Sequence, residues 1–171
     1  MTYIIFLFFA AAFFIPFNAY GQGYTLDGRI VSIADGDTVT LLDAGKRQHK
    51  IRLSGIDAPE RKQAFGHRSR EHLDQLVLGK QVTTDCRKTD RYKRAVCKIK
   101  VDGIDANLAQ VAAGMAWHYR EYEREQSLMD RLRYAHAENR AQEERRGLWA
   151  DRAPVAPWDF RRAAKRDAAG R

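Results

Sequence analysis

Cysteine is scarce: two occur in 171 residues, and the five histidines never fall at zinc-ligand spacing. A zinc finger and a disulfide-dense scaffold are thereby excluded. No G-x-S-x-G stretch and no glycine-rich phosphate loop is present, which removes the serine-hydrolase elbow and the nucleotide-triphosphate cradle. Internal repeats and long low-complexity segments are absent too. Residues 1–21 carry no charged side chain, and their apolar run, TYIIFLFFAAAFFI, falls short of the roughly 20 residues that span a bilayer. With Ala19 and Gly21 in small-x-small spacing, residues 1–21 read as a cleaved signal peptide; the alternative is an uncleaved anchor. The expectation is a secreted or periplasmic monomer with no stable membrane association after cleavage.

What remains is strongly basic. The formal charge is +8, and arginine outnumbers lysine by 21 to 9. Arginine's planar fork suits bidentate recognition of phosphate. A polyanion is the implied partner, whether nucleic acid, acidic polysaccharide or anionic membrane.

Strands are predicted over 24–33, 38–42 and 49–54, with the turn DAGK joining the last two. In the third strand Ile51 and Leu53 point one way and Arg52 the other. A helical pattern follows, with Leu73, Leu76 and Val77 on one face. The segments QVTTDC and AVCKIKV form a hairpin that sets Cys86 opposite Cys97, a disulfide candidate in an oxidising compartment and otherwise two buried thiols. A second helix is expected over 106–113. A third spans about 124–146, with Leu128, Leu132 and Ala135 as its apolar stripe. The order of elements suggests an α+β fold: a five-stranded OB-fold barrel with three helices over residues 22–150. Residues 151–171 form a basic tail, either a disordered arm or a strap docking Trp158 and Phe160.

Chemistry concentrates at two strand–loop junctions. DGDT supplies Asp35, Asp37 and Thr38, and GIDAPE supplies Asp57, Ala58 and Glu60. Two carboxylates about 4 Å apart repel by roughly 4 kcal/mol at an effective dielectric of about 20. A cation must offset this: Arg52, Arg94, or a hard divalent metal with oxygen ligands. Carboxylates, a metal and two arginines on a basic barrel match phosphodiester hydrolysis. On the residues alone, a non-catalytic nucleic-acid-binding module stays open beside it.

The ordered motifs resemble the staphylococcal nuclease family over about residues 24–149. The resemblance implies a calcium-dependent enzyme that cleaves DNA and RNA and leaves 3′-phosphates. It assigns Asp37 and Asp57 as calcium ligands, with Asp35 and Thr38 supporting them. Ala58 would ligate through its carbonyl, where the family's founding sequence has threonine. Arg52 and Arg94 become the catalytic arginines and Glu60 the group that orients or deprotonates water. DRYKR and GMAWHYREY resemble the stretches that contact nucleotide, through Arg91, Tyr92, Tyr119 and Tyr122. Lys93 stands where many relatives have glycine, which implies a different turn or a residue at positive φ.

Overall fold

The computed structural model describes residues 23–170; the expected signal peptide lies outside them. In chain order the strands are β1 (Asp27–Asp35), β2 (Thr38–Asp43), β3 (Gln48–Leu53), β4 (Ile56–Asp57), β5 (Gln81–Thr89), β6 (Ala95–Val101), β7 (Ile104–Asp105) and β8 (Trp117–His118). The helices are α1 (Gly66–Val77), α2 (Ala106–Ala112), α3 (Leu128–Glu143) and α4 (Pro157–Ala169). Strands β3-β2-β1-β5-β6 lie side by side, and parallel pairing of β3 with β6 closes the five-stranded barrel. The expected OB-fold architecture is present.

Alternation fills the interior. Val39 and Leu41 of β2 and Ile51 and Leu53 of β3 point inward and are buried. In β1 an irregularity between Ile30 and Ser32 shifts the phase, so Ile30 and Ile33 both face the core. Leu73 and Val77 of α1, Val111 of α2 and Tyr134 of α3 complete the same core. Cys86 and Cys97 are register partners on β5 and β6, with Cα atoms 4.0 Å apart, and form a disulfide.

Two buried amides on α2 tie the barrel to its acidic loops. Asn107 accepts from the Ile99 amide and donates to the carbonyls of Ser54 and Cys97, fixing the chain as it leaves β3. Gln110 donates to the Gly36 carbonyl at 2.6 Å and to the Ser69 carbonyl, holding the turn between β1 and β2.

The three helices expected within residues 22–150 are α1, α2 and α3, and residues 157–169 of the tail add a fourth, with Pro157 at its first turn. Two expectations about the third helix need correction. The third helix begins at Leu128, behind a Ser127 cap that accepts from the Asp130 amide; a 3₁₀ segment occupies Arg120–Glu125. Its buried stripe is Tyr134, Glu138 and Ala141, while Leu128 and Leu132 are exposed. The inward face is chosen by polar anchoring: Tyr134 Oη donates to Asp105, and Glu138 accepts from the His118 amide.

Candidate active site

The turn between β1 and β2 folds its second carboxylate inward. The Asp37 amide donates to Asp35 Oδ1 at 3.1 Å, an Asx-type turn. Gly36 permits it, since a Cβ there would lie 1.8 Å from Ser69 Oγ. Asp37 is left 5 % exposed, and the loop after β3 is sewn to it. The Leu53 amide donates to the Asp37 carbonyl at 2.8 Å, and the Ala58 amide to Asp37 Oδ2 at 2.7 Å. Asp57, 1 % exposed, sits on β4 opposite Trp117 of β8.

Arg52 joins the two acidic residues. Its Nη1 lies 2.9 Å from Asp37 Oδ2 and its Nη2 2.8 Å from Asp57 Oδ1. Arg94 reaches the same cluster from the β5–β6 hairpin, with Nη1 3.4 Å from Thr38 Oγ1, which donates to Asp37 Oδ1. Asp90 aims Arg94: its Oδ2 accepts from Arg94 Nε at 2.8 Å, and its Oδ1 accepts the Tyr92 and Arg94 amides. Lys93 adopts φ of 61°, the second of the two turn outcomes expected at this position. Glu60 is partly exposed, and its Oε1 pairs with Arg161 of α4 at 2.8 Å.

Burial pushes the Asp37 carboxyl up to about 7, more than the neighbouring Arg52 guanidinium offsets, with Asp35 and Asp57 adding to the rise. Asp37 and Asp57, joined through Arg52, offer carboxylate oxygens of the kind a hard divalent ion takes. Among the described residues no three His, Cys, Asp or Glu side chains group to hold a metal by themselves, so the remaining ligands would be backbone and water oxygens.

The aromatic candidates divide. Tyr119 follows β8 and donates its hydroxyl to Glu121 at 2.7 Å. Its ring meets that of Tyr122 edge-on, with centroids 5.2 Å apart. Tyr92 is 64 % exposed at the hairpin tip, with the guanidiniums of Arg91 and Arg94 about its ring. Arg91 makes no ion pair with the acidic cluster in the described residues.

The family profile described as "Staphylococcal nuclease homologue" matches residues 50–151, more than half of the chain. The chain belongs to this family. It is 40% identical to an "Uncharacterized endonuclease" of Haemophilus influenzae, the match covering 80% of this chain and 74% of that protein. It is 36% identical to a "Micrococcal nuclease" of Shigella flexneri, over 81% and 82% of the two chains. It is 39% identical to "Protein ParB" of Escherichia coli, over 80% of each. As a staphylococcal nuclease homologue the protein is a nuclease, and nucleic acid is its substrate.

Four residues around this nuclease site lie outside the candidates the sequence offers. Asp90 is a turn residue by composition, and Asn107 and Gln110 read as ordinary helix positions. Arg161 lies about a hundred residues from the carboxylates it touches. Its one signature is that Trp158 and Arg161 are three apart, hence on one face of a helix.

Proposed function

We propose that this nuclease is a calcium-dependent phosphodiesterase acting on DNA and RNA, releasing the 5′-oxygen and leaving 3′-phosphates. The observation that carries the reading is the unbroken chain Arg94–Thr38–Asp37–Arg52–Asp57, which sets two guanidiniums beside two buried carboxylates. Calcium held by Asp37, Asp57 and the Ala58 carbonyl supplies, when bound, Lewis-acid charge at the phosphoryl oxygen. Arg52 and Arg94 face the charge that develops on the pentacoordinate phosphorus. Glu60 orients the attacking water and accepts its proton. Asp35 and Thr38 hold Asp37 in place. Arg91 and Tyr92 contact phosphate, and Tyr119 and Tyr122 stack on bases, contacts that carry little sequence information. The protein works as a secreted or periplasmic monomer; the Cys86–Cys97 disulfide suits an oxidising compartment.

Plasmid digestion by purified protein, in calcium and then in chelator, tests the reading. Cleavage in calcium alone is expected. Equal cleavage in both, or none in either, overturns it.

A further inference from the structure

Helix α4 lies past residue 151, where the family match ends, yet it touches the acidic side chains of the site directly. Arg161 Nη2 is 2.6 Å from Asp57 Oδ2, and its Nη1 is 3.2 Å from Asp57 Oδ1 and 2.8 Å from Glu60 Oε1. Both oxygens of Asp57 are thus engaged by one guanidinium. Three residues earlier, Trp158 stacks on Tyr119, with ring centroids 5.3 Å apart and planes 20° apart. One helix face presents a fixed positive charge to the carboxylates and a planar aromatic to a ring that would otherwise receive a base.

We propose that α4 is an autoinhibitory strap. Arg161 is a tethered counter-ion that a divalent cation must displace from Asp57 and Glu60, and Trp158 covers Tyr119 until a nucleotide base replaces it. The proposal rests on the calcium reading above. Charge supports it: among the described residues Glu60 has no cationic partner but Arg161, and without Arg161 the Asp57 carboxylate keeps Arg52 alone. Lifting the strap leaves net negative charge where a cation would bind.

The strap is anchored at its start and exposed beyond Arg161. Ala156 and Pro157 are buried, Trp158 meets Trp117 edge-on, and Gln63 Nε2 donates to the Val155 carbonyl at 2.5 Å. Past Arg161 the helix is mostly exposed to its end. Beside the strap's N-terminal end lies an open cleft of about 190 Å³, lined by Pro59, Phe65, Trp117, Leu148, Pro154 and Phe160. No residue of α4 belongs to the barrel's core cluster, so α4 can leave while the barrel stays closed. A strap shut about nine-tenths of the time weakens apparent affinity about tenfold.

Calcium titration calorimetry on the full chain without nucleic acid, for the parent and Arg161→Gln, tests the strap. The variant is expected to bind calcium about tenfold more tightly. It also cleaves DNA faster at limiting calcium and matches the parent at saturation. In the unmutated protein, amide exchange over residues 157–169 should speed up when calcium is added, a readout independent of any variant's folding. If the parent binds calcium while Arg161→Gln binds it no better, or if exchange in α4 does not change, the strap is overturned and the calcium reading stands. A loss of cleavage by Arg161→Gln at saturating calcium also overturns it and puts Arg161 with the phosphate-binding groups. If neither protein takes up calcium, both readings fall together.

Discussion

Arg52 and Asp37 show how single side chains set the electrostatics of the site. Arg52 spans two buried carboxylates from one planar group, a geometry that a lysine ammonium cannot reproduce. Arg52→Lys keeps the charge and loses the fork; kcat is expected to fall roughly a hundredfold or more, with little change in DNA affinity measured in chelator. Unchanged turnover would remove Arg52 from the reacting centre. Asp37 has the opposite character, a carboxylate that burial disfavours even beside its arginine. A group with a raised folded pKa contributes stability at low pH that is lost as pH rises through about 7. Asp37→Asn removes a charge that burial disfavours, so the metal-free protein should lose no stability at neutral to alkaline pH, seen as a Tm at or above the parent's. The same change should abolish calcium binding. A lower Tm at neutral pH would show that the buried charge is fully compensated.

At the scale of elements, the β5–β6 hairpin converts a disulfide-pinned ladder into an aimed guanidinium. The Cys86–Cys97 pair locks register near the middle of the ladder, and Asp90 closes the tip on the amides of Tyr92 and Arg94. Hydrogen bonds from those amides and from the Arg94 guanidinium outweigh burial and hold Asp90 below the usual carboxylate range. Asp90→Asn retains an oxygen for the amides and loses the ion pair to Arg94. Its kcat is expected to drop roughly ten- to a hundredfold with the Tm nearly unchanged. A fall in Tm with normal kcat would make Asp90 a turn residue only. Helix α3 illustrates the limit of reading elements from pattern: Leu128 and Leu132 stand at helical spacing yet face solvent. The partners that turn Tyr134 and Glu138 inward lie on other elements, Asp105 and the His118 amide. No window along α3 contains them.

At the scale of the whole molecule, the +8 charge and the excess of arginine over lysine make long-range attraction to polyanions the dominant encounter force. DNA binding measured in chelator should weaken roughly tenfold or more between about 50 and 200 mM salt. A flat salt dependence would mean that stacking, rather than phosphate contact, carries the affinity.

The strand order, the cysteine pairing and the two acidic motifs were legible because each rests on local chemistry: alternation, a symmetric hairpin, and carboxylates at strand ends. Convergence of Asp37 with Asp57 is a different matter, set by barrel closure through β3 and β6 and by Asn107 and Gln110 reaching across from α2. The docking of Arg161 and Trp158 likewise depends on where a tail helix comes to rest. Residue type and spacing along the chain decide which groups are available. Only the packing of elements distant in sequence decides which of them meet, because contact across the barrel leaves no period in the chain.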